Sequence, residues 1–193
     1  MPNPPKILAF AGSARTESFN KTALRIAAEA ARAAGGEITL IDLRDFPLPL
    51  YDGDLEEREG LPANAARLRE LFLNHRGLLL SCPEYNSSIT PLLKNTIDWV
   101  SRNEKKTGSL ECFQGKVAAL MAASPGALGG LRGLVHMRAI LGNIGVLVIP
   151  EQIEIVKAHE AFNQDGTLKD ARQQKSVQTV GSALTKILLS LNA

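Results

Sequence analysis

The first 36 residues contain a short apolar run, a polar loop and an alanine-rich segment in immediate succession. Residues 7–11, ILAFA, are apolar throughout, which is typical of a buried strand, and the run breaks at Gly12. Residues 21–30, KTALRIAAEA, predict a helix that ends by Gly35 and Gly36. A helix that follows a strand and a loop presents unpaired N–H groups and the positive end of its dipole at its N-terminus. The stretch therefore predicts an α/β unit with an anion site at its loop.

The loop at residues 12–20 carries the donors that a phosphate group needs. It supplies the hydroxyls of Ser13, Thr16 and Ser18, the amide of Asn20 and the permanent cation of Arg15. A phosphate monoester takes many donors and about two neutralising charges, so the loop predicts a phosphate site. The residues alone leave an alternative open, in which Ser18 or Asn20 only caps the helix and Arg15 is solvated. The loop contains neither the Gly-x-x-x-x-Gly-Lys-Ser/Thr pattern of a triphosphate P-loop nor the GxGxxG pattern of a dinucleotide-binding loop, so both kinds of site are excluded.

Apolar runs and helical segments alternate along the rest of the chain. Helix-capping and turn residues punctuate this alternation, including Thr90 as an N-cap and Pro91 at the first helical position. Five strand–helix units predict an open parallel sheet with helices on both faces, in one domain spanning residues 1–193. Further strands are expected at 37–42, 77–81, 116–124 and 145–150; further helices at 62–75, 90–101, 128–142 and 169–191; and irregular connections at 43–61, 103–108 and 151–167.

Two other loops follow predicted strands and share the polar or glycine-rich character of the first. They are residues 82–89, CPEYNSSI, which precede the capping Thr90, and residues 124–130, SPGALGG. The carboxyl ends of parallel strands meet at one edge of a sheet, where ligands bind at the point of topological reversal. All three loops should therefore converge on one crevice. Taken singly, each of the two later loops could equally be an ordinary turn before a helix.

Composition restricts the classes of function. Hydrophobic residues make up 45% and charged residues 22% of 193 residues, and the formal net charge is +2, which gives no electrostatic case for nucleic acid or an anionic membrane. The N-terminal MPNPPK lacks an apolar signal core, so a cytoplasmic protein is expected. Cys82 and Cys112 form no metal-binding spacing, and no metal site is expected. A buried, inert thiol is expected at Cys82.

The three loops together resemble the NADPH-dependent FMN reductase family, which includes bacterial quinone, chromate and azo-dye reductases. The first loop, GSARTESFN, matches the family pattern Gly-Ser-x-Arg-x-x-Ser-x-Asn completely, and PEYNSSITPLLKNTIDWVSR and SPGALGG follow in order, so the resemblance runs from residue 7 to about residue 150. It implies a flavodoxin-like, doubly wound five-stranded parallel sheet of order 2-1-3-4-5 that binds FMN. The cofactor-binding residues that it implies are Ser13, Arg15, Ser18, Phe19, Asn20, Pro83, Glu84, Tyr85, Asn86, Ser124, Gly126 and Gly129.

The resemblance also implies an activity. NADPH or NADH would pass hydride to bound FMN, which would then reduce a quinone or another small acceptor such as chromate, an azo compound or free flavin. No side chain is expected to be an obligatory acid or base, because the cofactor supplies the chemistry. The alternatives are a flavodoxin-type electron carrier, which the +2 charge does not favour, and an FMN-binding redox sensor.

The family's assembly implies a homodimer or homotetramer. The candidate contact surface comprises the helices 90–102 and 128–142 and the segment 47–55, with Trp99 and Met137 among its residues. From the residues alone, Trp99 is expected in core or subunit-interface packing.

Overall fold

The computed structural model describes residues 3–105 and 107–191. The predicted linker at 103–108 includes residue 106, which lies outside the described residues. The strands are β1 Lys6–Ala11, β2 Glu37–Leu40, β3 Gly77–Ser81, β4 Glu84–Tyr85, β5 Ser88–Ile89, β6 Val117–Ala123 and β7 Leu147–Ile155. The helices are α1 Phe19–Ala33, α2 Gly53–Glu59, α3 Ala63–Leu73, α4 Pro91–Val100, α5 Leu131–Asn143, α6 Ala158–Ala161 and α7 Ala171–Leu191.

Five of these strands form a parallel sheet in the order β2-β1-β3-β6-β7. Numbered among themselves, the five strands have the order 2-1-3-4-5, so the predicted flavodoxin-like architecture is confirmed. β1 lies between β2 and β3, which makes its carboxyl end the point where the chain's direction across the sheet reverses. The loop at residues 12–18 begins there.

The period-2 alternation of β1 divides the core into two layers. Leu8 and Phe10 pack on one face with α3, α4 and α5, where Phe10, Phe72 and Phe113 contact one another in a chain of rings. Ala9 packs on the other face with α1 and α7. The alanines of α1 and Gly181 of α7 let these two helices approach closely, because a Cβ at residue 181 would lie 1.9 Å from the Ala27 carbonyl oxygen.

Three predicted connections contain more regular secondary structure than expected. The connection at 43–61 contains a short 3-10 turn, Leu43–Asp45, and helix α2, which Asp52 caps by accepting a hydrogen bond from the Asp54 N–H. The last strand continues to Ile155, and the short helix α6 follows within the segment that was predicted to be irregular, 151–167. Residues 84–89 form a two-stranded hairpin rather than an open loop.

The proline-rich segment at residues 46–51 packs against α4. The Trp99 indole Nε1–H donates to the Pro49 carbonyl oxygen at 2.7 Å, and its ring contacts the Tyr51 ring edge-on at 5.0 Å between centroids. Trp99 and Met137 are 0% and 1% exposed in the single chain. Both residues belong to the core, so their assignment to a subunit contact surface was wrong.

Across residues 3–105 and 107–191, no helix is both long enough and apolar enough to span a membrane.

Candidate functional site

The loops after β1, β3 and β6 meet at the carboxyl edge of the sheet, as the topology predicts. We call residues 12–18 the first loop, residues 82–90 the second loop and residues 124–130 the third loop. Backbone bonds already join their roots, because the Gly12 N–H donates to the Ser81 carbonyl and the Cys82 N–H donates to the Met121 carbonyl. The three loops therefore border a single crevice.

The first loop delivers two hydroxyls and a guanidinium to the N-terminus of α1. Ser18 is the N-cap, with its Oγ accepting a hydrogen bond from the Lys21 N–H at 3.4 Å. Ser13 is buried, and its Oγ accepts from the Arg15 N–H at 3.3 Å. Arg15 itself is exposed, and its side chain makes no hydrogen bond or ion pair with any other residue in the described parts of the chain. An unpaired guanidinium beside a helix N-terminus is suited to an anion.

Lys21, in the first turn of α1, forms an ion pair with a carboxylate of the protein itself. Its Nζ lies 2.6 Å from Asp42 Oδ2 at the end of β2. Burial alone would raise the pKa of Asp42, but the hydrogen bond from Lys21 and the nearby Arg44 charge outweigh it and hold that pKa below its usual range. Arg44 also donates to the Thr16 hydroxyl at 2.9 Å, which steadies the outer side of the first loop. Arg15 is therefore the cation that the first loop offers to a ligand.

Asn20 is buried within the first turn of α1 and links three segments of the chain. Its Nδ2 donates to the Ala123 carbonyl at 2.7 Å, and its Oδ1 accepts from the Ala123 N–H at 3.0 Å. The same Oδ1 accepts from the Ser81 hydroxyl at 2.9 Å. The Asn20 amide thus ties α1 to the carboxyl ends of both β3 and β6.

The neighbouring residue, Phe19, is the first residue of α1. Its ring stacks on that of Phe162, parallel and 6.0 Å away between centroids. This contact joins the start of α1 to the segment that follows β7.

The second loop is a tight hairpin whose two turn residues, Asn86 and Ser87, both have positive φ. Glu84 Oε2 accepts a hydrogen bond from the Gly133 N–H at 2.9 Å. Gly133 is in the first turn of α5, and the N-cap of that helix, Gly130, has no side chain of its own. Glu84 therefore caps α5 from another segment and fixes the hairpin against it.

Thr90 links the second loop to the first, and sequence reasoning missed this role. Its Oγ1 accepts from the Leu93 N–H at 3.2 Å, which is the predicted N-cap of α4. The same hydroxyl donates to the Gly12 carbonyl at 2.7 Å. The capping pattern was visible in the sequence, whereas a partner 78 residues away was not.

The third loop is held by the segment that follows β7. The Ala158 N–H donates to the Ser124 carbonyl, and the Lys157 N–H donates to the Gly126 carbonyl. Gly129 has φ of +61°, and a Cβ there would lie 2.9 Å from the Glu154 Cβ. Packing against β7 thus accounts for the glycine at residue 129.

A small cavity of about 70 Å³ opens where the three loops meet. Nine of the twelve residues predicted to bind the cofactor line it, whereas Asn86, Gly126 and Gly129 do not. Ala123 and Pro125 complete its lining. The nine are Ser13, Arg15, Ser18, Phe19, Asn20, Pro83, Glu84, Tyr85 and Ser124.

A wider depression of about 450 Å³ adjoins this cavity and shares Ser13, Arg15 and Tyr85 with it. Its other walls are the start of α4 and residues Gly12 and Ala14. A small polar cavity with hydroxyls and a free guanidinium, opening into a wider, less polar depression, fits a phosphate joined to a flat ring system. A larger depression of about 620 Å³ beside α3 includes none of the predicted residues.

A cysteine and a histidine are associated with the second loop. Cys82 is fully buried, and burial raises the pKa of its thiol to about 12, so it is the inert thiol that was expected. His136 Nδ1 lies 2.9 Å from the Ser88 hydroxyl on the hairpin. Among the described residues, no three His, Cys, Asp or Glu side chains are grouped so that they could hold a metal ion.

Comparison with known proteins assigns the chain to a family. The family described as NADPH-dependent FMN reductase matches residues 5–160, which include all three loops. The chain belongs to the NADPH-dependent FMN reductase family.

Two relatives in this family cover most of the chain. An NAD(P)H-dependent FMN reductase of Pseudomonas aeruginosa is 34% identical over 180 residues, which are 93% of this chain and 92% of that protein. A quinone reductase of Escherichia coli is 32% identical over 167 residues, which are 86% of this chain and 85% of that protein. FMN reductases and quinone reductases are therefore both represented among the relatives of this FMN reductase family member.

A solved structure with a similar fold is FerB, a flavoenzyme NAD(P)H:(acceptor) oxidoreductase from Paracoccus denitrificans. The TM-score is 0.77 at 24% identity, over 96% of this chain and 98% of that one. At this level of identity the likeness concerns the fold, and it agrees with the flavodoxin-like sheet described above.

Proposed function

We propose that this protein is an FMN-dependent NAD(P)H oxidoreductase that reduces quinones or other small acceptors. The observation that carries the proposal is the convergence of nine predicted residues on one cavity at the carboxyl edge of the sheet. Membership of the NADPH-dependent FMN reductase family supports the same activity.

The chain's own groups can account for recognition of the FMN phosphate. The hydroxyls of Ser13 and Ser18 and the N–H groups at the start of α1 donate hydrogen bonds, and Arg15 contributes a positive charge. Because Arg15 has no protein partner in the described regions, no ion pair must be broken when a phosphate binds. The first loop therefore selects a terminal monoester.

The ring system is proposed to lie in the wider depression, against the hairpin. Pro83 is buried and anchors the start of the hairpin. Tyr85 is 51% exposed, so its aromatic ring is available to contact a ligand. When bound, FMN supplies the redox chemistry by accepting two electrons from a nicotinamide and passing them to an acceptor. The protein positions the cofactor and leaves one side of the crevice open to both partners.

The electron acceptor is proposed to be small, flat and largely apolar. Ala14, Pro91, Leu92 and Tyr85 line the open side of the depression, and they suit a quinone better than a strongly charged molecule. The relatives described as quinone reductases support this choice. A flavodoxin-type carrier is not favoured, because the family and the relatives are reductases.

We further propose a homodimer or homotetramer in the cytoplasm. Leu128, Leu131 and Val135 are 42%, 40% and 58% exposed along α5 and the loop before it, beside the hairpin. We call these three residues the apolar strip. Because Trp99 and Met137 are buried, we propose that the apolar strip, rather than those two residues, forms the subunit contact. Light scattering tests the assembly, and cell fractionation tests the location.

Purification of the protein tests the proposed cofactor. We expect a yellow protein that releases FMN, rather than riboflavin or FAD, on denaturation, and that oxidises NADPH or NADH when a quinone is added. A protein that binds no flavin after incubation with excess FMN would refute the proposal.

A further inference from the structure

Three side chains at the crevice each make a hydrogen bond that joins two different loops. Asn20 joins the first loop's helix to the root of the third loop, and Thr90 joins the second loop to the first. Glu84 joins the second loop to the helix that follows the third. Together these bonds connect the three loops around the cavity and fix their relative positions.

Asn20 is the most constrained of these three side chains. It is 4% exposed, and a carboxamide offers two N–H donors and two acceptor positions. One donor and both acceptor positions are taken up by the Ala123 carbonyl, the Ala123 N–H and the Ser81 hydroxyl. Turning the side chain would leave these buried partners unpaired, which is costly, so only its second N–H remains available to a ligand.

We propose that Asn20 is a positioning residue that sets the spacing between the first and third loops and so supports both ends of the cofactor. This inference rests on the proposed binding of FMN. It replaces the expectation that Asn20 acts mainly as a phosphate ligand. Selectivity for the phosphate then belongs to Arg15 and the serine hydroxyls.

The two roles make different predictions for two ligands that share a ring system. FMN carries a phosphate, whereas riboflavin does not. A residue that only contacts the phosphate affects FMN binding and leaves riboflavin binding unchanged. A residue that positions the first and third loops weakens both ligands, because riboflavin as well as FMN depends on the third loop.

The experiment is a fluorescence titration of flavin-free, full-length protein with FMN and with riboflavin. For Asn20→Ala we expect both dissociation constants to rise about tenfold or more, consistent with the loss of buried hydrogen bonds, with riboflavin weakened as well as FMN. The quenching of the bound flavin's fluorescence should also weaken for both ligands, since the ring is held less firmly.

A matched control separates positioning from a general loss of stability. Thr185 on α7 is also fully buried, and its hydroxyl donates to the Ala31 carbonyl of α1, away from the crevice. Thr185→Ala should lower the melting temperature of the flavin-free protein but leave both dissociation constants unchanged.

A second variant decides the matter if Asn20→Ala does not fold. Ser81→Ala removes only the hydroxyl that donates to Asn20 Oδ1 and leaves the amide in place. It should weaken FMN and riboflavin together, by about two- to fivefold, consistent with the loss of a single hydrogen bond.

The possible results are distinct. Weaker FMN binding with unchanged riboflavin binding in Asn20→Ala or Ser81→Ala would overturn the positioning role and leave the proposed function intact. A wild-type protein that binds neither flavin would overturn the proposed function itself. Losses for both ligands in the crevice variants, and none in Thr185→Ala, support the inference.

Discussion

Asn20 and Ala123 are 103 positions apart in the chain and exchange two hydrogen bonds, with the Asn20 amide acting toward Ala123 as a neighbouring strand would. Through this pair, the helix that follows the first loop is fixed to the end of β6. The helix N-terminus and the third loop are therefore held at a fixed distance, and the cavity lies between them.

Arg15 provides the most direct test of the phosphate assignment. Arg15→Ala removes a charge-assisted contact of about 1.5–3 kcal/mol, so FMN affinity should fall at least about tenfold. Riboflavin affinity should not change. Arg172→Ala, which removes an exposed arginine on α7, is the control and should affect neither ligand. If Arg15→Ala and the wild type bind FMN equally well, the phosphate does not lie in the first loop.

Glu84 allows charge and geometry to be separated at the hairpin. Glu84→Gln keeps an oxygen that can accept from the Gly133 N–H, whereas Glu84→Ala leaves that N–H without its partner. We expect the alanine variant to bind FMN about three- to tenfold more weakly, which is the size of the loss of one ordinary hydrogen bond. The glutamine variant should recover most of that affinity. Equal losses in the two variants would mean that the charge, rather than the hairpin's position, matters.

Thr90 should contribute to stability as well as to the site. Thr90→Val removes both the N-cap of α4 and the bond to the Gly12 carbonyl, and should lower the free energy of unfolding by about 1–3 kcal/mol. Urea denaturation measures this loss. Thr90→Ser keeps both hydrogen bonds and serves as the control. A valine variant as stable as the wild type would contradict the role of this hydroxyl in joining the loops.

The thiols should be unreactive in the folded protein. Burial raises the pKa of Cys82 to about 12, so at pH 8 its reactive thiolate form is almost absent, and burial also raises the pKa of Cys112. Iodoacetamide should modify neither cysteine until denaturant is added, and then both. Rapid labelling of Cys82 in the native protein would reopen a redox role for it.

The apolar strip on α5 should mediate self-association. Val135→Glu places a charge at its most exposed position and should shift the protein toward a monomer in light scattering at micromolar concentration. Leu147→Glu changes another exposed leucine, at the start of β7, and should leave the assembly unchanged. A wild-type protein that is already monomeric would refute the proposed assembly.

The order of the sheet and the meeting of three loops were predictable because they follow from local patterns and general topology. Apolar runs at β1 and β3 are unambiguous, and parallel strands bring their carboxyl ends to one edge. By contrast, α2 contains only one apolar residue, Leu55, so hydrophobic periodicity gave no signal for it. The end of β7 alternates polar and apolar residues, as an edge strand does, but Pro150 interrupts the run and predicted that the strand ends there.

The partners of Asn20, Glu84 and Thr90 could not be predicted in the same way. Each side chain is bonded to a backbone group or hydroxyl distant in the sequence, and one sequence carries no record of which such groups meet. The residue types suggested ligand binding or capping, both of which are local roles. Only the folded chain places these residues between the loops.

The central claim is that bound FMN carries electrons from a nicotinamide to a small acceptor in this crevice. The measurement that tests it most directly is an oxygen-free titration of the FMN-loaded protein with NADPH, followed by visible absorption. We predict that one equivalent of NADPH bleaches the flavin band within seconds, and that a quinone added afterwards restores it. FMN that stays oxidised for minutes in excess NADPH and NADH, yet is reduced by one-electron donors, would identify a carrier and contradict this account.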